Sequence, residues 1–215
     1  MGTAKAISVA AIAAAVLIGI LYYGMLPAKS VTHWNAYGEP DGYGGREMAA
    51  FFAPALMAAL FALFWALPKI DPFRHNYLAF EKEYDGFVAV LLGFMLYVHI
   101  AMIAFNMGVA FRIGQAVTLG IAAMFYYLGM ILPRIRRNFF FGIRTPWTLM
   151  SDHAWRKTHE LGGLTFRLNA IIMLVGIAFP HLFLPIVIIP MLLNLLGLTA
   201  YSYLEYRKTN KYKPR

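Results

Sequence analysis

The sequence predicts an all-α protein of the cell membrane, a bundle of six transmembrane helices with both termini in the cytoplasm. Hydrophobic residues make up 60% of the 215 residues and charged residues only 13%, whereas soluble domains carry about 25% charged residues. The charges also lie in short blocks between long uncharged runs. Because a soluble surface would need them scattered, this pattern indicates a multi-pass membrane protein.

Four uncharged runs are each long enough to cross a bilayer, since about 20 helical residues span about 30 Å of hydrocarbon. They are Ala6–Leu26, Met48–Leu67, Gly86–Phe111 and Ile113–Leu132. Pro68 and Pro133 follow the second and fourth runs, where we expect those helices to end. The first run follows Lys5 as a signal peptide would, but signal cores span only about 7–15 residues, so a retained helix is favoured.

The last apolar stretch, Leu168–Leu204, has no charge and is too long for one span. Pro180 and Pro185 are expected to divide it, because proline removes a backbone donor. The two predicted helices are Leu161–Pro180 and Phe183–Leu204. Arg167 would then lie near the start of the fifth helix, where its side chain can reach the membrane interface.

The orientation follows from the basic residues in the connections, which are enriched on the cytoplasmic side. Fifteen lie on one side and three on the other, namely Lys29, Arg46 and Arg112. The fifteen are Lys5, Lys69, Arg74, Lys82, Arg134, Arg136, Arg137, Arg144, Arg156, Lys157, Arg207, Lys208, Lys211, Lys213 and Arg215. Both termini and the loop after the fourth helix are therefore predicted to be cytoplasmic, and the loop after the first helix extracellular.

Composition also limits the function classes. The chain has no cysteine, which excludes disulfides and thiolate chemistry. Its net charge of +9 comes from residues that flank apolar spans, so anionic lipid headgroups explain it more simply than direct nucleic-acid binding.

We divide the predicted protein into residues 1–85, a helix pair with the extracellular loop, and residues 86–215, a four-helix region with a cytoplasmic loop and basic tail.

The extracellular loop, residues 27–45, is rich in glycine and aromatic residues. Its glycines and Pro40 predict successive tight turns, because glycine reaches positive φ without strain; the glycines are Gly38, Gly42, Gly44 and Gly45. Trp34, Tyr37 and Tyr43 suit a membrane interface. An ordered interfacial loop is the simplest interpretation.

A second interpretation of this loop is a ligand or divalent-cation site. The polar groups of the loop are His33, Asn35, Glu39 and Asp41, and Glu47 follows directly after it. One imidazole with several carboxylates is compatible with a metal, with His33, Glu39 and Asp41 as the candidate ligands, although no spacing here is diagnostic. No cofactor is predicted, and a divalent cation stays an alternative.

The cytoplasmic loop combines arginines with three consecutive phenylalanines, at residues 139–141, which suits the headgroup region. Ser151 is expected to cap a short amphipathic helix, Asp152–Leu161, and the Gly162-Gly163 pair to stop it. Asp152, Trp155, Arg156 and His159 would share one face of that helix. An Asp152–Arg156 ion pair with interfacial packing of Trp155 is one interpretation, and a partner-binding surface is the other.

Two further observations bear on mechanism. His99 is the one titratable side chain near the middle of a predicted span, where an ionisable group is a functional hypothesis by default. A neutral histidine bonded to Tyr126 or Asn106 would serve structure equally well. No phosphate loop, nucleophile elbow or metalloprotease motif is present, so no catalytic residue and no enzymatic activity are predicted.

The two loops carry a family resemblance. Residues 138–149, with Gly-Ile-Arg-Thr-Pro-Trp-Thr, and residues 155–159 resemble the signature of the SdpI-type toxin-immunity family of bacterial and archaeal membrane proteins. The N-terminal part, with Leu26-Pro27, His33-Trp34-Asn35 and the run from Gly38 to Gly44, is similar to a domain of unknown function often fused ahead of that family. Together they cover residues 6–203.

The resemblance implies a six-helix protein that protects its cell from a secreted membrane-active peptide toxin and sequesters a cytoplasmic repressor, a form of signal transduction. The family's shared positions fall here on Asn138, Gly142, Arg144, Thr145, Pro146, Trp147, Trp155, Thr158 and His159. With Arg156, His33, Trp34 and Asn35, they are the candidate partner- or ligand-binding residues. A metal-dependent membrane enzyme that uses the extracellular loop or the His153/His159 segment, and a small transporter that uses His99, remain alternatives.

Overall fold

The computed structural model describes residues 2–35, 38–179 and 183–210, and within them the predicted membrane spans are confirmed. The α-helices are α1 (Thr3–Tyr22), α2 (Arg46–Ile70), α3 (Glu81–Asn106), α4 (Ile113–Ile131), α5 (Pro146–Met150), α6 (Asp152–Ile177) and α7 (Phe183–Asn210). All but the short α5 are long and apolar enough to cross a membrane, which gives six spans. The predictions made for Tyr37, Pro180, Lys211, Lys213 and Arg215 lie outside the described residues.

The described chain groups into two compact units, each built from two segments. The first comprises Met1–Phe64 and Asp85–Ile121, and the second comprises Trp65–Tyr84 and Ala122–Arg215. The boundaries fall inside α2, α3 and α4. The division at residue 85, which was drawn from the order of the loops along the chain, stays a prediction.

Several helix ends differ from the predicted ones. Helix α2 continues past Pro68 to Ile70, because a proline disturbs the turn before it and leaves the residues after it free to be helical. Helix α3 begins at Glu81, where acidic residues favour a helix start. It ends at Asn106 instead of Phe111, because Gly108 adopts a φ of +85° and closes the helix in a turn.

The largest correction concerns Gly162 and Gly163, which do not stop a short helix. Helix α6 runs unbroken from Asp152 to Ile177, so the predicted cytoplasmic helix and the fifth span are one element. A Cβ atom on Gly162 would overlap the Ile143 side chain, and one on Gly163 would lie 2.7 Å from Pro133. The two glycines therefore allow close packing against α6, as small residues do between membrane helices.

In the first unit, the helices also meet through small residues. Leu26, Ala49, Ala50 and Ile103 form a buried apolar cluster. A Cβ atom on Gly19 would lie 2.5 Å from the Ala50 carbonyl oxygen, so α1 and α2 come into backbone contact at this point. Van der Waals contact of this kind drives helix association in a bilayer, where apolar burial alone does not.

The glycine-rich loop between α1 and α2 forms a β-hairpin, which the sequence analysis did not predict. Strand β1 (Ser30–Trp34) pairs with β2 (Pro40–Gly44) in antiparallel fashion. The Asn106 side chain accepts a hydrogen bond from the Val31 N–H (2.7 Å) and donates one to the Val31 carbonyl (2.9 Å), so the end of α3 holds the hairpin.

The prediction of successive glycine turns in this loop is wrong for two of the glycines. Gly42 and Gly44 lie within β2, and of the described loop glycines only Gly38 has a positive φ, at +81°. Gly42 lies opposite His33, and a Cβ atom there would be 2.7 Å from the His33 Cβ. Glycine at this position therefore makes room for the histidine on the neighbouring strand.

Candidate functional site

The loop after α4, which the charge count predicts to be cytoplasmic, is a folded element that we call the arginine loop (residues 134–151). Its centre is Asn138, whose side chain is fully buried. The Asn138 Oδ1 accepts hydrogen bonds from the backbone N–H groups of Phe140 (3.0 Å) and Phe141 (2.6 Å). Its Nδ2 donates to the carbonyls of Arg136 (2.8 Å) and Phe141 (2.9 Å). The Asn138 side chain thus satisfies backbone groups of the loop that would pair with one another in a helix or a sheet.

A second anchor, Asp71, was missed by the sequence analysis. It is buried just after α2, and its Oδ2 accepts a hydrogen bond from the Phe139 N–H at 2.8 Å. The Tyr77 hydroxyl lies 3.1 Å from Asp71 Oδ2 and 3.2 Å from Asn138 Oδ1. Burial and the neighbouring Asp71 carboxylate raise the pKa of Tyr77 far above its ordinary value, so the phenol stays a hydrogen-bond donor.

Gly142 and His159 meet where the arginine loop packs closely against α6. The His159 Nε2 accepts a hydrogen bond from the Ile143 N–H (3.0 Å), and its Nδ1 lies 2.8 Å from the Trp155 carbonyl. This arrangement requires the neutral ring protonated on Nδ1. Gly142 has a φ of +107°, and a Cβ atom there would lie 2.5 Å from His159 Nε2. The Trp155 ring stacks on His159 and donates from Nε1 to the Ile135 carbonyl at 2.8 Å.

The Thr-Pro-Trp-Thr segment builds the short helix α5. Thr145 and Thr148 form a reciprocal capping box, and Pro146 takes the first helical position, where no backbone donor is needed. The Thr145 hydroxyl also lies 2.9 Å from the Ser202 hydroxyl, and Trp147 packs on Tyr203. These contacts fasten the arginine loop to α7.

Three arginines of the loop are exposed, namely Arg134, Arg136 and Arg144, and Arg156 is exposed on α6. The Arg144 Nη1 donates to the Phe139 carbonyl at 2.7 Å, which leaves most of its guanidinium N–H groups for other partners. The predicted Asp152–Arg156 ion pair is wrong. Asp152 instead lies 2.9 Å from the Arg137 Nε, because the arginine loop folds back onto the start of α6.

The buried candidates therefore have a different role from the exposed ones. Asn138, Thr145, Trp155, Thr158 and His159 are at most 8% exposed. The bonds of Asn138, Thr145, Trp155 and His159 hold the arginine loop in place, whereas Arg136, Arg144 and Arg156 are exposed. The predicted Ser151 cap of α6 is confirmed by its side-chain bond to the Ala154 N–H.

Beside this loop lies a largely apolar cavity of about 500 Å³, bounded by α4, α6, α7 and the loop itself. Its lining residues are Phe125, Gly142, Ile143, Arg144, Thr145, Phe166, Met191, Leu192, Asn194, Leu195, Leu198 and Thr199. The Asn194 Oδ1 is buried with no hydrogen-bond partner among the described residues. This size and a few polar groups in an apolar wall are typical of a ligand pocket.

The hairpin between α1 and α2 presents exposed polar side chains. His33 and Asp41 are exposed and pair across it, with 2.6 Å between Nδ1 and Oδ1, while Asn35 bonds Glu39. Trp34 packs edge-on against Phe105. Within residues 2–35, 38–179 and 183–210, no group of three or more His, Cys, Asp or Glu side chains could hold a metal ion. The divalent cation stays a hypothesis without a ligand set.

His99 is almost fully buried in α3. Its ring approaches the Ala15 backbone, yet neither ring nitrogen forms a hydrogen bond in the described part of the chain. The predicted bond to Asn106 is not formed, because that side chain is taken up by Val31 and Met102.

The six apolar spans identify the class of this protein, which is a multi-pass protein of the plasma membrane. Residues 134–202 match the SdpI/YfhL protein family, and residues 10–58 match a domain of unknown function (DUF1648). These matches confirm the resemblance to the SdpI-type family that the two loops carry in the sequence.

One curated relative matches along nearly the whole chain. It is the immunity protein SdpI of Bacillus subtilis (strain 168), which is 22% identical over 206 residues, or 95% of this chain and 96% of that protein. That relative is an immunity protein, in agreement with the prediction that this chain has no enzymatic activity. No solved structure matches the chain significantly.

Proposed function

We propose that this chain is a membrane immunity protein that protects its cell from a secreted membrane-active peptide. The observation that carries the proposal is the similarity to an immunity protein over 95% of the chain, with the DUF1648 region and the SdpI/YfhL region in order. The geometry supports a binding role, because the described residues offer exposed polar surfaces on rigid supports.

The hairpin is the proposed site of contact with the toxin. The positive-inside count predicts that it faces the outside, which a secreted peptide reaches first. Its exposed side chains include His33, Asp41 and the aromatic ring of Tyr43. Because Asn106 ties Val31 to the end of α3, a ligand on the hairpin acts directly on a membrane helix.

The arginine loop is the proposed site for a cytoplasmic partner, such as a repressor held at the membrane. Arg136 and Arg144 project from a loop that Asn138 and Asp71 make rigid, and Arg156 is exposed near the start of α6. Fixed guanidinium groups suit carboxylates on a protein partner, since they bind them in bidentate fashion. Coupling between the two surfaces requires that each ligand favour a different conformation.

The experiment is survival of a toxin-sensitive host that expresses the chain and is challenged with secreted membrane-active peptides. The variants are His33→Ala on the hairpin and Arg144→Ala on the arginine loop, with Arg74→Ala as a matched exposed control outside both surfaces. All are compared at equal abundance in the membrane. We expect the wild type, Arg144→Ala and Arg74→Ala to protect, and His33→Ala to need about tenfold less toxin for killing, as for a lost contact of about 1.4 kcal/mol.

Two other outcomes of this experiment would contradict the proposal in part or in full. Loss of protection in Arg144→Ala alone would contradict the assignment of the toxin to the hairpin and place its site at the arginine loop. A wild-type chain that protects against none of the peptides would overturn the immunity proposal.

A further inference from the structure

A second cavity, of about 530 Å³, lies at the end of α4, within the second unit. It is bounded by the start of α3, the end of α4 and the middle of α6. Its lining residues are Lys82, Glu83, Tyr127, Gly129, Met130, Ile131, Pro133, Arg134 and Arg167. Three cations thus border one cavity, whereas only one carboxylate does.

Arg167 reaches this cavity because Gly129 leaves room for it. A Cβ atom on Gly129 would lie 2.6 Å from the Arg167 Cγ, so the stem of the arginine crosses α4 at this glycine. The Arg167 Nε donates to the Gly163 carbonyl at 2.9 Å. That bond fixes the guanidinium and leaves the N–H groups of its two terminal nitrogens for a ligand.

The other charges do not neutralise the cavity. The Arg134 Nη1 lies 3.6 Å from the Glu83 carboxylate, a loose pair with an exposed arginine. Lys82 is exposed and forms no ion pair with the described residues. Among the lining groups, a net charge of two positive units therefore remains for an anion.

The position of the cavity identifies the kind of anion. Tyr127, Met130 and Ile131 belong to the last turns of α4, and the span that contains them ends at Arg134. Met130 is 43% exposed, so its side chain is open to lipid. A basic pocket at the end of a membrane helix, with an apolar side wall, matches a lipid that has an anionic headgroup and acyl chains.

We propose that this cavity binds the headgroup phosphate of an anionic phospholipid of the cytoplasmic leaflet, with Lys82, Arg134 and Arg167 as its ligands. The acyl chains lie along the exposed side chain of Met130. A bound lipid of this kind stabilises the contact between α4 and α6, because it bridges cations from α3, the end of α4 and α6.

The test uses the full-length protein in lipid nanodiscs made of phosphatidylcholine, with or without phosphatidylglycerol. The readouts are the unfolding temperature and the phosphatidylglycerol retained by the protein in native mass spectrometry. Lys82→Gln with Arg134→Gln removes two cavity charges on exposed side chains. The matched control, Arg136→Gln with Arg156→Gln, removes two exposed charges from the arginine loop and from α6 outside the cavity.

We expect phosphatidylglycerol to raise the unfolding temperature of the wild type and of the control pair. The cavity pair should lose most of that increase and bind phosphatidylglycerol about fivefold more weakly for each charge removed. An equal loss in the control pair would show a general surface effect and overturn the proposal. So would a stabilisation that soluble glycerol phosphate reproduces, or no effect of phosphatidylglycerol on the wild type.

Discussion

Replacing Asn138 by leucine is expected to unfold the arginine loop and to lower the free energy of unfolding by about 3 kcal/mol or more. The change would leave two backbone N–H groups and two carbonyls of the loop without their partner. Each buried polar group left unsatisfied costs roughly 1–3 kcal/mol. The measurement is thermal or denaturant unfolding of the purified protein in detergent.

Asn76→Leu provides the matched control for this prediction. The Asn76 Nδ2 donates one hydrogen bond, to the Arg137 carbonyl at 2.7 Å, and the side chain is only half-buried. Its removal is expected to cost about 1 kcal/mol. Equal losses in the two variants would show that Asn138 is not the centre of the loop.

Gly142→Ala is expected to have a similar effect by a different mechanism. An alanine at a φ of +107° is strained, which costs roughly 1–3 kcal/mol. Its Cβ would also meet the His159 Nε2 at 2.5 Å and break the bond from the Ile143 N–H. We expect a total loss of about 3 kcal/mol or more, measured by unfolding and by abundance in the membrane.

Gly197→Ala is the control for Gly142→Ala, since a Cβ atom on Gly197 meets nothing within 4 Å. In the interior of α7 this change is expected to stabilise the protein slightly, by about 0.5–1 kcal/mol. If Gly142→Ala were tolerated as well as Gly197→Ala, the close contact between the arginine loop and α6 would be disproved.

The six spans could be predicted from the sequence, because long uncharged runs between charged blocks have few alternatives in a membrane. The predicted positions of the helix ends were less accurate, because proline and glycine affect a helix end through local geometry and also through contacts with distant residues. Gly162-Gly163 shows the difficulty. The pair has the local signature of a helix stop, yet its role depends on Ile143 and Pro133, which no local pattern reveals.

The candidate site could be predicted only in part. The resemblance located Asn138, Gly142 and His159, but their burial and bonds required the structure. Asp71 followed by proline does carry the signature of an Asx turn, and its Oδ1 accepts the Phe73 N–H. Its bond to Phe139 joins residues 68 positions apart, and no local pattern predicts a pairing at that distance.

The hairpin was missed for a related reason. Glycine is rare in strands, so Gly42 and Gly44 indicated turns. The strands form because His33 needs a small neighbour opposite it and because Asn106, far along the chain, bonds Val31. Neither of these two contacts is visible in the local sequence pattern of the loop.

Both functional proposals depend on the hairpin and the arginine loop facing opposite sides of the membrane. The most direct test is labelling of single cysteines in intact cells with a membrane-impermeant maleimide, because the chain has no cysteine of its own. Tyr43→Cys and Met150→Cys are suitable, since these residues are 51% and 64% exposed. We expect Tyr43→Cys to be labelled in intact cells and Met150→Cys only after permeabilisation. Labelling of Met150→Cys from outside, with Tyr43→Cys protected, would contradict the account.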